Sequence, residues 1–290
     1  MGGTTIAMHP AMSTLSRLFS MDEFTMKHLR GKVGYFTESG GTIVWQIEDG
    51  AIVIVDTQFP EQAGHLIKEV EKKSEAAIDY VINTHHHGDH TSGNIVFKGL
   101  AKNIVAHENS KTNQKASAES RGNLDKILLP DTTFIKEWKQ DVGSESITML
   151  YWGAGHTDGD ALTHFENANV VHMGDLVFNR RFPYIDKGAG ASIENWINIL
   201  DRARRHYDDD TIFVCGHSAN GHDIVINKED IAAFSDYLGK VLTFVEAELK
   251  SGESEEDILN ATEIPGAPEW KGKGIERSLS AAITEIRDGK

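Results

Sequence analysis

The apolar positions of this chain change period several times, and each change predicts an element. Thr42–Gln46 and Ala51–Val55 are two β-rich runs joined across Glu48-Asp49-Gly50, a hairpin signal. Over Glu61–Lys73 the spacing turns helical, with Leu66, Ile67 and Val70 on one face and charges opposite. Ile78–Ile82 and Ile104–Ala106 read as short apolar strands, and Asn109–Arg121 as a polar helix. After Pro130 short strands take over: Phe134–Trp138, Ile147–Trp152, Ala161–Phe165 and Val170–Met173. Ser192 is placed to cap a helix running through Arg204, with Asn195 three residues on. Thr211–Val214 is a further strand. Lys228–Leu249 and Ile275–Ile286 are helical, punctuated by Gly252 and the Pro265–Pro268 loop. With no repeat, linker or low-complexity tract, residues 1–290 read as one mixed α/β domain with sheet inside and helices outside. Residues 1–30 read as an N-terminal extension and 228–290 as C-terminal helices.

Composition narrows the partners. The hydrophobic content of 39% is that of an ordinary globular chain, and no apolar run approaches the roughly 18 residues of a membrane span. A net charge of −15 offers no basic stripe, so neither a membrane nor a nucleic acid is expected as partner. A single cysteine excludes an internal disulfide. Cys215 sits in the apolar run Ile212-Phe213-Val214-Cys215 and reads as a core thiol. Met1–Met12 contains no Lys or Arg and no sustained apolar core, so it does not form a signal peptide. Ile6 also breaks the myristoylation pattern. As written the chain reads as cytoplasmic, or periplasmic if an export signal has been trimmed. Nothing in the sequence fixes the oligomeric state.

The chemistry concentrates in Thr84-His85-His86-His87-Gly88-Asp89-His90-Thr91, the pattern H-x-H-x-D-H. Imidazoles and carboxylates bind divalent transition metals, and without one such a cluster is poorly solvated. Residues two apart in an extended segment share a side, so His85 and His87 can converge on one ion. Asp89 and His90, being adjacent, project differently and can reach a second. The segment follows the strand Ile78–Ile82, and open α/β sheets present their ligands at that end. Gly155-His156-Thr157, Met173-Gly174-Asp175 and Cys215-Gly216-His217 each place one more such side chain just past a strand. A glycine precedes it each time, which allows a sharp turn into a cleft.

In order, H-x-H-x-D-H, G-H-T, G-D and G-H resemble the metallo-β-lactamase superfamily over roughly Gly41 to His217. The resemblance implies a four-layer αββα sandwich with two zinc ions at one edge of its facing sheets, iron or manganese being alternative metals. It assigns His85, His87 and His156 to the first ion, Asp89, His90 and His217 to the second, and Asp175 to both. Asp56 matches a position that supports the His loop from behind. The segments Gly155–Asp160 and Cys215–Ser218 are similar to zinc β-lactamases of the Cys-ligated subclass. Their cysteine, however, corresponds here to Asp175, which is closer to glyoxalase-type thioesterases and lactonases. The basic residue that holds the lactam carboxylate in those enzymes maps near Phe178, leaving Arg180 or Arg181 to replace it.

The implied function is a dinuclear zinc hydrolase that uses a metal-bridging hydroxide to cleave a carbonyl bond in a small molecule. A β-lactam-type cyclic amide ranks slightly ahead of a lactone or thioester, and a mononuclear iron dioxygenase is the redox alternative. Flavodiiron proteins carry a glutamate where His87 stands. Asp89 is the candidate catalytic carboxylate. Tyr184 is a candidate oxyanion donor or substrate contact, or else a surface aromatic. His86 should point away from its neighbours, and His172 should lie behind Asp175. Asp158 and Asp160 should orient the His156 loop. His107, His164 and His222 read as structural, and Trp45, Trp152, Phe182 and Trp196 as pocket walls or core.

Overall fold

The computed structural model describes residues 24–288. The expectations for Met1–Met12, and most of the N-terminal extension, therefore lie outside the described residues.

The first half builds one sheet. Its strands are β1 (Thr25–Arg30), β2 (Val33–Thr37), β3 (Ile43–Glu48), β4 (Ala51–Val55), β5 (Ile78–Asn83), β6 (Ala101–His107) and β7 (Thr132–Phe134), hydrogen-bonded in sequence order. From β1 to β4 they run antiparallel, and from β4 to β7 parallel. The parallel part needs crossovers, supplied by α1 (Pro60–Glu71), the short α2 (Gly88–Thr91) and α3 (Glu108–Ser120). In the second half β8 (Glu137–Val142), β9 (Glu145–Tyr151), β10 (Ala161–Phe165) and β11 (Val170–His172) lead to the small strand β12 (Phe178–Asn179). Helix α4 (Ile193–His206) follows, then β13 (Ile212–Val214), β14 (His217–Ser218), β15 (Val225–Ile226), α5 (Lys228–Ser251), α6 (Glu255–Leu259) and α7 (Ile275–Asp288). The second sheet has the order β15-β13-β11-β10-β9-β8, while β12 and β14 pair with each other.

Strand alternation produces the layers. Along β4, Val53 and Val55 pack with Ile147, Met149 and Phe165 of the other sheet, whereas Ile52 and Ile54 pack outward with Leu66 and Val70 of α1. In the second sheet Val170 and Val214 face inward, while Val171 and Phe213 face Trp196, Phe234 and Leu279 of the outer helices. The result is the expected αββα sandwich. Burying each of these aliphatic side chains contributes about 1.5–3 kcal/mol. No helix among the described residues is long and apolar enough to cross a membrane.

Two expectations are corrected. Residues 25–30 pair with β2, so the last part of the supposed extension belongs to the sheet. The expected strand Phe134–Trp138 is two strands in different sheets: Phe134 ends β7 and Trp138 lies in β8. Ile135, between them, is exposed as the chain crosses from one layer to the next.

The caps follow the sequence more closely. Ser192 Oγ accepts from the Asn195 amide at the start of α4. Helix α7 also reaches back to this point, because the buried Glu285 carboxylate accepts from the amides of Ile193 and Glu194 at 2.8 and 2.9 Å. Ser278 donates to the Pro183 carbonyl at 2.9 Å. The C-terminal helix thus anchors the segment that closes one side of the site.

Candidate metal centre

Four strand ends meet at one edge of the sandwich: β4 ends before Asp56, β5 before the His cluster, β11 before Asp175 and β13 before His217. All seven side chains expected there converge, in two groups. His85 Nε2 and His156 Nε2 lie 3.1 and 2.8 Å from His87 Nδ1. Asp175 Oδ2 completes this group at 3.8 Å from His85 and 3.5 Å from His156. In the second group His217 Nε2 is 3.1 Å from Asp89 Oδ2, and His90 Nε2 is 3.1 Å from Asp175 Oδ1. One carboxylate therefore presents an oxygen to each group.

The outer hydrogen bonds fix which nitrogen faces inward. Asp56 is fully buried, with φ of 64°, and accepts from the Thr84 amide and hydroxyl at 2.8 Å each. It also accepts from His90 Nδ1 at 2.7 Å. Having given its only proton to Asp56, the Thr84 hydroxyl accepts from His85 Nδ1 at 3.1 Å. His156 Nδ1 donates to the Tyr184 carbonyl at 2.5 Å, and His87 Nε2 donates to Asp186 at 2.9 Å. His85, His87 and His156 each spend an N–H outward and turn a lone pair inward. Among these three, acceptor then faces acceptor at hydrogen-bond distance, an arrangement that a shared cation relieves. Asp175 Oδ1, 3.1 Å from His90 Nε2, is the acceptor that the second group shares. The donor set, carboxylates and imidazoles without thiolate, fits zinc, manganese or iron.

Protonation separates the two groups. Burial, reinforced by neighbouring imidazoles, pushes His156 down to about 3 and His85 well below the usual histidine range, leaving both neutral. Burial also works against charge on His90, but Asp175, Asp56 and Asp89 outweigh it and hold the ring protonated in the protein alone. A divalent cation would displace that proton. Burial raises Asp89, yet His90 and His217 more than offset it, keeping the carboxylate ionised.

Close packing rather than sharp turning explains two of the three glycines that precede the expected ligands. Only Gly174 has a positive φ, of 50°. A Cβ on Gly216 would lie 2.0 Å from Asp175 Oδ1, and one on Gly155 would lie 2.8 Å from Leu176. A third close approach was not foreseen: a Cβ on Gly41 would sit 2.1 Å from the His90 ring.

The surrounding residues divide as follows. Asp160 accepts from the Thr157 amide and hydroxyl at 2.7 and 2.6 Å, holding the His156 loop; burial raises it to about 7. Asp158 accepts from Asn113 at 2.7 Å. His172 lies 3.4 Å from Asp56, behind the cluster, and Cys215 is buried with its thiol donating to the His217 carbonyl. His86 turns away to within 3.7 Å of Asp186. Trp45 and Trp196 are core, while Trp152 carries Arg202 over its ring.

A cleft of about 330 Å³ opens over the two groups, with Phe178, Phe182 and Tyr184 among its walls. The Tyr184 ring is 41% exposed and 5.3 Å from the His87 ring. Its hydroxyl is pushed up by burial and by Asp186, so it stays a donor. Of the two arginines proposed to hold a substrate carboxylate, Arg180 does not reach the cleft. It stacks 4.9 Å from Trp270 and lies 3.6 Å from Asp230. Arg181 lines the cleft, joined by Arg121, Lys273 and Arg277, which sequence reading missed. Asp186 was missed too, since nothing local marks a carboxylate in that loop as the partner of His87.

Comparisons with known proteins agree with this geometry. A family model described as the Metallo-beta-lactamase superfamily matches residues 38–217, more than half of the chain. The chain is 26% identical over 177 residues to a hydroxyacylglutathione hydrolase of Bartonella henselae, covering 61% of this chain and 62% of that protein. It is 21% identical over 193 residues to metallo-beta-lactamase IND-1 of Chryseobacterium indologenes, covering 66% and 77%. The match to the hydrolase thus spans less than two thirds of its length. Among solved structures, a metallo-beta-lactamase from Pontibacter korlensis superposes with a TM-score of 0.61 at 17% identity, covering 75% of this chain and 99% of that one. That likeness shows the fold alone.

Proposed function

This chain belongs to the metallo-beta-lactamase superfamily, and from that premise we propose that it is a dinuclear metallohydrolase cleaving a carbonyl bond in a small molecule. His85, His87 and His156 would hold one ion and Asp89, His90 and His217 the other, with Asp175 shared. The observation that carries the reading is the division of Asp175, with Oδ2 toward His85 and His156 and Oδ1 toward His90 and His217. When bound, the ions supply a water of lowered pKa and a Lewis acid for a carbonyl oxygen.

The chain's own groups do the rest. Asp89, kept ionised by His90 and His217 and partly open to the cleft, is the acceptor for a proton released there. Tyr184, held neutral, can donate to an oxygen that gains charge. Phe178 and Phe182 line the cleft with apolar surface that limits water. No serine or cysteine nucleophile is needed, and Cys215 is buried away from the cleft.

Among substrates, a thioester or lactone is favoured, because a shared carboxylate stands where the Cys-ligated β-lactamases carry a thiolate. The cyclic amide is the second reading, supported by the relatedness to IND-1. The test is to count metals in the purified protein and assay a thioester, a lactone and a chromogenic β-lactam with and without chelator. Two ions per chain and chelator-sensitive hydrolysis are expected. One iron per chain without zinc, or an Asp89→Ala variant with full activity, overturns the reading.

A further inference from the structure

The cleft is cationic in an acidic chain. The sequence holds 44 acidic and 29 basic residues, yet Arg121, Arg181, Lys273 and Arg277 all line the cleft over the candidate centre. A second depression of about 410 Å³ shares Arg181 and Lys273 with it and adds Lys271 and His222. The only acidic side chains lining either are Asp89 and Asp175, both turned toward the inward-facing imidazoles.

Several cations elsewhere are paired: Arg30, Lys102, Lys139, Lys187 and Lys228 each lie 2.6–3.1 Å from a carboxylate. Among the described residues none of the five at the cleft has a carboxylate within 4.0 Å. Their backbone is nevertheless held. The Lys271 amide donates to the Arg180 carbonyl at 3.0 Å, and the Phe182 amide donates to the Lys271 carbonyl at 3.2 Å. This bridge ties Arg181 to the Lys271–Lys273 segment. Gathering like charges with no carboxylate paired to them raises the free energy of the protein alone, and an anionic ligand lowers that cost.

We propose that the molecule recognised here carries two or more negative charges away from its reacting carbonyl, and that these lie along the track formed by Arg121, Arg277, Lys273, Arg181 and Lys271. The identification of the carbonyl end rests on the metallohydrolase reading; the track does not. A single carboxylate engages one arginine fork, or two cations at most. It would leave the rest of a track spanning two depressions unmatched. A tail bearing phosphates or several carboxylates matches it, and the guanidinium fork suits either group.

Calorimetry on the metal-loaded protein tests this with three thioethers that expose no free thiol: S-methyl-coenzyme A, with phosphates; S-methylglutathione, with carboxylates; and S-methylpantetheine, uncharged. At least one anionic probe should bind tenfold or more tighter than S-methylpantetheine, an advantage that shrinks as salt is raised, as screening requires. In an Arg181→Ser, Lys273→Ser double variant, whose melting temperature reports an intact fold, the advantage should fall to about threefold or less, as expected when charge pairs at the contact are removed. Whichever anionic probe wins assigns phosphate or carboxylate. Equal affinity for all three, including no binding by any, overturns the proposal, as does an advantage that survives the double variant. Hydrolysis of the corresponding acetyl thioesters is scored separately. Its absence, with the binding preference intact, removes the thioester as the reacting group and leaves the anion track.

Discussion

Asp186 accepts the Nε2–H of His87 at 2.9 Å, and that contact decides which nitrogen of His87 faces the cluster. It also accepts from the Ala189 amide, which fixes the carboxylate in its loop. Removing such an outer partner costs 10–100-fold in metal affinity. Asp186→Ala should therefore weaken binding by about that factor, measured by competition with a chromogenic chelator. Asp186→Asn, which keeps an oxygen for His87, should lie closer to wild type. Unchanged affinity in the alanine variant would take Asp186 out of the site.

Gly216 meets Asp175 from the other side. A Cβ there would sit 2.0 Å from Oδ1 and 2.9 Å from the Gly174 carbonyl carbon, although Gly216 has no positive φ. Alanine at this position strains no dihedral, but it must push away the oxygen that the second group shares. Gly216→Ala should fold and load fewer than two metals per chain, by elemental analysis of the purified protein. A variant that still loads two would mean that Asp175 can serve both groups from a displaced position.

The contrast between these two residues says what the sequence could reveal. His85, His87, Asp89 and His90 lie within six residues, so their spacing alone brings them to one edge, although the segment is a bend leading into α2. His156, Asp175 and His217 were legible because each follows a strand. Asp186 had no such marker, because its meaning depends on a contact 99 residues away in the chain. The same holds for Lys273 and Arg277, which line the cleft from the start of α7 and the turn before it, a helix bonded back to Pro183 and Ile193. The fold was legible where one face of an element is apolar. Strand β1 escaped because its half-exposed sequence, Thr-Met-Lys-His-Leu-Arg, shows no clean alternation. The break between β7 and β8 escaped because Ile135 continues an apolar run while the chain changes sheets.

Asp160 gives the metal-free protein a pH signature. Burial raises its carboxyl to about 7, against hydrogen bonds from Thr157 that favour the charge. A folded pKa above the unfolded one means that the stabilising contribution is fully present below the unfolded value, near 4. It is lost as pH rises through about 7. Between about pH 5 and 8 the chelated wild type should lose several degrees of melting temperature relative to Asp160→Asn, which cannot ionise. Parallel melting curves for the two proteins across that range would show that Asp160 ionises without cost.

Asp175→Cys tests the shared carboxylate most directly. Two oxygens on a planar carboxylate reach both groups, as the 3.5 Å contact to His156 and the 3.1 Å contact to His90 record. A thiolate offers one atom in place of two, so it cannot present a separate donor to each group, and it is a softer ligand. Under the proposed function the variant should keep its fold and lose thioester turnover by about a hundredfold, as expected when a residue that organises the reacting groups is removed. Turnover of a chromogenic β-lactam should fall less, so the ratio of lactam to thioester rates rises. Thioester turnover within a few-fold of wild type would show that the second carboxylate oxygen has no part in the reaction.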